Sequence, residues 1–168
     1  MIEGFAPSGA WRADVIADFA RSELFDRTFQ EGMDLVEETA GYLDGSGRQE
    51  SKLLSRSAAL AYAAESMRLT TRLMQVASWL LVQRAVREGD MPPESAREER
   101  YRLGAEDICR GATTEDLPAG LLMLLDRSER LYERVRHLDR RMYIEETEPE
   151  DANPVLSQFG RLQAAFGA

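Results

Sequence analysis

The chain is poor in the residues that most often betray a chemistry. Cys109 is the only cysteine, so no disulfide can form within the chain. His137 is the only histidine, so any Ser/His or Cys/His pairing would have to use it. Glycine-rich phosphate loops, H-E-x-x-H, C-x-x-C and G-x-S-x-G are absent. Glu-x-x-His, the repeated ligand pair of di-metal bundles, is absent too. The adjacent pairs Glu37-Glu38 and Glu98-Glu99 point to different sides of a helix. These absences lead us to expect no enzyme activity, no cofactor and no metal. No apolar run approaches the ~20 residues that span a bilayer. The most apolar window, Val76 to Val82, contains Ser78 and is flanked by Arg72, Gln75, Gln83 and Arg84. The N-terminus has no basic start followed by an apolar core, so no secretory signal is visible. We therefore expect a cytoplasmic protein without a membrane partner. Lys52 is the single lysine among 21 basic residues, a skew that fits a GC-rich genome. The net charge of −9 argues against nucleic acid as the main partner.

What the chain does have is helix. At 168 residues, 43% apolar and 30% charged, it is long enough for one domain with a real core. Gln49 to Glu88 holds neither proline nor glycine. Along it Leu53, Ser57, Leu60, Ala64, Met67, Thr71, Met74, Ser78, Leu81 and Ala85 recur at steps of four and three, large residues in one heptad seat and small ones in the other. Roughly opposite runs a second apolar stripe, Leu69, Leu73, Val76 and Leu80. Two stripes predict a helix covered on two sides, either central in a bundle or shared between its own subunit and a second copy. Between them lies a polar strip of Glu65, Arg68, Arg72 and Gln83, with Trp79 and Val86 inside it.

Before this helix, Gly4, Pro7 and Gly9 mark residues 1–20 as a loose arm, with Trp11, Val15, Ile16 and Phe19 able to dock as a short turn. A first full helix is predicted from about Arg21 to Leu43, with Phe25, Phe29, Val36, Ala40 and Leu43 on its apolar face. Asp44-Gly45-Ser46-Gly47 ends it, with glycine supplying a left-handed residue. Gly89 and Pro92-Pro93 stop the long helix, and a short helical piece follows near 93–103. The last helix opens near Asp116, with Pro118 in its first turn. Leu117, Leu121, Leu124, Ser128, Leu131, Val135, Leu138 and Met142 form its seam. The fold expected is all-α: an elongated antiparallel three-helix bundle over 21–143, built on one very long central helix at about 49–88. Residues 144–168 form a separate tail. Its acidic stretch Glu145–Asp151 precedes Leu156, Phe159, Leu162 and Phe166, spaced along one side of a short docking segment.

The stretch from Glu65 to Val86, followed by Glu88-Gly89, resembles the regulator of CtrA degradation family of alphaproteobacteria, adaptors of the ClpXP protease. Thr28-Phe29, Gly32-Met33, Leu35-Val36-Glu37-Glu38-Thr39, Tyr42-Leu43 and Arg136-His137-Leu138-Asp139 carry the same resemblance, which covers about residues 25–143. It implies a three-helix bundle, a homodimer, and a role in cell-cycle-timed proteolysis. The partners it implies are a ClpX-type unfoldase complex, a response-regulator adaptor and protein substrates, with recruitment to a cell pole as one setting.

The candidate contact residues come from chemistry alone. Arg68, Arg72 and Gln83, flanked by Trp79, form the polar strip of the long helix. Arg130, Arg134 and Arg141 on the last helix are suited to an acidic receiver domain, and Leu156, Phe159, Leu162 and Phe166 to a partner's groove. Against each stands the plainer reading of a solvated or internally paired face. Two rival functions stay open: a self-assembling structural protein at a pole or division site, and a helical enzyme or ligand sensor, which the residues support least.

Overall fold

We describe residues 8–104 and 116–143 from a computed structural model, with side chains from residue 13 onward. Among the described residues five α-helices and two single 3₁₀ turns make up an all-α bundle: α1 (Ser8–Ala20), α2 (Glu23–Asp44), α3 (Ser46–Ser51), α4 (Arg56–Glu88) and α5 (Ala119–Tyr143). The turns Ser95–Arg97 and Glu99–Tyr101 lie between α4 and α5, where the sequence predicts a helical piece.

Serines start the two main helices. The Ser22 hydroxyl accepts from the Phe25 amide (3.1 Å) and donates to the Phe19 carbonyl (2.6 Å), closing the α1–α2 corner. Ser55 accepts from the Ala58 amide at 3.2 Å in the same way. That cap splits the predicted 49–88 helix into α3 and a 33-residue α4, so α4 is about 50 Å long. Leu53, the first seat of the predicted seam, falls on the turn between them. Gly89 ends α4 in the left-handed conformation (φ 81°), and Asp90 N–H reaches back to the Ala85 carbonyl at 2.9 Å. Gly45 differs from expectation. It has φ −108°, and it is glycine because a Cβ there would lie 2.8 Å from the Gly41 carbonyl oxygen.

α2 runs antiparallel to both of its large neighbours: Asp26 pairs with Arg87 of α4, and Glu31 and Glu38 pair with Arg134 and Arg127 of α5. α4 and α5 run parallel, since Arg72, Trp79 and Gln83 meet Ser128, Asp139 and Tyr143 in the same order. Residues 8–20, expected to be a loose arm with a docking turn, form a helix. Ile16 and Ala20 are buried, and Phe19 packs on Phe25 (5.8 Å) and Trp79 (5.9 Å).

The α5 seam is buried as the sequence predicts, from Leu117 through Met142 with Leu138 half-buried. The buried line of α2 differs: it is Phe25, Thr28, Gly32, Leu35 and Thr39, while Val36 and Ala40 stay exposed and Leu43 half-buried. Small residues bring the helices close. A Cβ on Gly32 would lie 2.6 Å from Leu80 Cδ1.

Two glycine substitutions in α2 should therefore have opposite signs in urea denaturation. Gly32→Val forces Leu80 aside and should cost about 1–3 kcal/mol. Gly41→Ala, with nothing within 4 Å of the new Cβ, should gain about 0.5 kcal/mol from backbone entropy.

Candidate functional site

The polar strip of α4 is not a surface. Arg72 is 3% exposed, Trp79 1% and Gln83 0%, so the reading of these three as partner contacts is corrected to an interior role. Their partners come from α5. The Arg72 guanidinium donates to Ser128 Oγ at 2.9 Å and lies 3.6 Å from the Glu129 carboxylate. Trp79 Nε1 donates to Asp139 at 2.9 Å, and Gln83 Nε2 to the Tyr143 hydroxyl at 2.9 Å. Arg68 is the intermediate case, half-exposed and paired with the buried Glu65.

Asp139 is the hub. Besides Trp79 it accepts from Arg102 Nε (3.0 Å) and, on its second oxygen, from Arg102 NH2 (2.8 Å), with the Leu103 amide at 3.4 Å. The Arg102 guanidinium also sits 4.7 Å from the centre of the Tyr143 ring. Burial raises the Tyr143 hydroxyl above its usual pKa, the Gln83 bond opposes that shift, and the charge of Asp139 adds to it. A further bond, Tyr132 Oη to the Gly104 carbonyl at 2.9 Å, holds the end of the return segment. This network fixes the α4–α5 register and clamps residues 102–104 to the bundle.

With the strip turned inward, the heptad seam faces out. Leu60 (66% exposed), Met67 (72%), Met74 (65%) and Leu81 (51%) stand one per heptad along α4, a line of about 32 Å. Ser57, Thr71 and Ser78, the small seats between them, are exposed as well. A groove of about 350 Å³ flanks this line on the α2 side, where Val36, Ala40 and Leu43 face Thr70, Met74 and Ala77. A second, of about 450 Å³, flanks it on the other side, between Gln75, Ser78 and Val82 and the segment Arg100–Gly104. Met74 borders both. Large apolar side chains thus stand exposed one per heptad between two grooves.

On α5, Arg134 pairs with Glu31 (2.5 Å) and Arg130 with Asp126 (3.0 Å). Arg141 is exposed in the last turn. Arg130 and Arg134 line a shallow groove between α2 and α5 together with Glu31, Asp126, Glu129 and Glu133, so the face is mixed rather than basic, and Arg141 lies outside it. Leu156, Phe159, Leu162, Phe166 and Cys109 lie outside the described residues. His137 is exposed on α5. Among the described residues no three His, Cys, Asp or Glu side chains gather as a metal site, and no helix is long and apolar enough to cross a membrane.

A family model described as a protein of unknown function, DUF1465, matches residues 16–166. The crystal structure of RcdA from Caulobacter crescentus CB15 matches at 72% identity over 76% of this chain and 98% of that one, with a TM-score of 0.65. The chain belongs to the RcdA family. No curated protein matches. In this RcdA relative the sequence left open whether the seam is covered within the bundle or by a second copy, and its exposure was signalled by the heptad itself. The alternation of Leu or Met with Ser, Thr or Ala is the pattern of a helix–helix seam, and α2 and α5 leave it uncovered.

Replacing the hub tests the clamp. Asp139→Ala strands the Trp79, Arg102 and Leu103 donors and should lower stability by about 3–5 kcal/mol. Limited proteolysis should then cut first within 92–104. Arg130→Ala, at an exposed pair, should change stability by less than about 0.5 kcal/mol.

Proposed function

We propose that this protein is a non-enzymatic adaptor in regulated, cell-cycle-linked proteolysis, joining a primed ClpX-type unfoldase to substrates or further adaptors. Family membership supplies the biological setting. The observation that supports the role physically is the exposed seam of α4, a rigid apolar line on a helix held from behind by the Asp139 network. An adaptor needs such a face, and it needs no catalytic constellation.

The same line suits self-association. Two copies laid seam to seam would seat Leu60, Met67, Met74 and Leu81 against the small seats Ser57, Ala64, Thr71 and Ser78, as large residues seat in holes in a coiled coil. A homodimer through this face is part of the proposal. Arg130, Arg134 and Arg141 remain the proposed contacts for an acidic receiver domain, and recruitment to a pole would follow from the partner. The rival reading, a self-assembling scaffold, draws on the same seam and differs in predicting higher oligomers without a protease partner.

The double variant Met67→Glu/Met74→Glu tests the seam that both readings use, because it charges the seam without touching the core, and the catch of the unmodified chain separates the two. In sedimentation analysis it should weaken self-association at least about tenfold, the loss expected when a central contact is removed. In a pull-down from host lysate read by mass spectrometry, the unmodified chain should recover a ClpX-type unfoldase or a receiver-domain protein, and the variant should lose the partner that the seam holds. A catch of the protein itself in large assemblies, with no unfoldase or receiver domain, would favour the scaffold.

A further inference from the structure

Thiols and thioethers are the side chains that peroxide oxidises most readily, and this chain has one cysteine against seven methionines. The described methionines divide by access. Met142 is buried, and Met33 and Met91 are half-buried against the core. Met67, Met74 and Met123 are exposed. Met123 stands on α5, while Met67 and Met74 stand one heptad apart on the outward seam of α4.

That placement gives oxidation a consequence. Leu60, Met67, Met74 and Leu81 are the large residues of the seam, and the two methionines are its middle pair. Large and small seats alternate on one helix, so a second copy carries the complement of the first, and an isologous pair uses the same patch twice. In such a pair four thioethers lie near the centre, where the loss of a contact costs most. Ala64 and Ala77 beside them bring no hydrogen-bond donor, and the Thr70 hydroxyl already donates to the Ser66 carbonyl at 2.8 Å. A sulfoxide oxygen closed into this seam gives up its water for little in return.

We propose that Met67 and Met74 are sites of reversible oxidation by hydrogen peroxide, and that their sulfoxides open the seam between two copies. One oxygen atom moves from the peroxide to the sulfur. The O–O bond breaks, an S–O bond forms, the sulfur gives up two electrons, and the other peroxide oxygen leaves with both protons as water. Attack falls on separated copies, in which both side chains are exposed, so each oxidation holds a copy out of the pair. A methionine sulfoxide reductase reverses the step. Burial of Met142 spares the core. The switch rests on the seam-to-seam pairing proposed above.

The test treats the full-length chain with dilute hydrogen peroxide, maps it by peptide mass spectrometry, and follows it by sedimentation equilibrium at several concentrations. Once Met67 and Met74 carry sulfoxide, the dissociation constant of the pair should rise at least about tenfold. Treatment with a methionine sulfoxide reductase should restore it. Met67→Leu/Met74→Leu keeps the seam apolar and removes both sulfurs. This variant should pair before peroxide and keep its pairing afterwards, while its Met123 oxidises as in the unmodified chain. Undiminished pairing of the unmodified chain with both sulfoxides in place would overturn the proposal and leave the seam pairing standing. Equal loss of pairing in the leucine variant would overturn it too, and would move the sensitive site elsewhere. An untreated chain that stays monomeric at every concentration would remove the seam pairing itself, and the switch with it.

Discussion

The carboxylate of Asp139 is where three parts of the chain close on one another. It is buried, so its charge must be met by donors. They come from α4 (Trp79), from the return segment (Arg102 and the Leu103 amide) and from nowhere on its own helix. Apolar packing alone allows two helices to slide by a turn at small loss. A buried carboxylate with a matched set of donors does not, because a slip by one turn leaves charges unpaired at several kcal/mol each. Arg72 with Ser128 and Gln83 with Tyr143 repeat the constraint one or two turns to either side. The α4–α5 register, their parallel direction and the placement of residues 102–104 follow from these few bonds, and the grooves beside α4 follow from that placement.

Much of the architecture was legible in the sequence for reasons that can be named. The α5 seam read correctly because its apolar residues form a single stripe opposite a run of charges, so only one face could be buried. The ends of α4 were half legible. Gly89 with Pro92-Pro93 is a strong stop, whereas Ser55 works as a start only once the chain has turned, and nothing in Gln49–Ser55 breaks a helix by propensity. The faces of α2 were misassigned because small residues, Thr28, Gly32 and Thr39, take the buried seats. Hydrophobicity gives them low weight, yet close approach favours them.

The largest difference lies on α4 and has one cause. Two apolar stripes and a polar strip were visible on the helix, and periodicity cannot say which arc is covered. Arg72 and Gln83 argue for the surface when α4 is read alone. They are inside because Ser128, Asp139 and Tyr143 stand opposite them at offsets of 56 and 60 residues, a match that becomes evidence only once the two helices are known to be parallel. The candidate contact residues on that strip were misplaced for this reason, and the seam, which the sequence left open between a bundle core and a face shared with a second copy, is exposed.

α4 thus holds an unusual division of labour, with polar groups inside and methionines outside. Each half makes sense only with the other. Register is secured by bonds that water cannot easily replace, so the outer face need contribute nothing to holding the bundle together and is free to vary in what it contacts. Met67 and Met74 suit that freedom, since an unbranched thioether chain adapts to surfaces of different shape with little strain. A leucine or isoleucine line would select one complementary surface more sharply. A line of Leu60, Met67, Met74 and Leu81 with serine and threonine between them presents an adaptable apolar edge rather than one fixed shape.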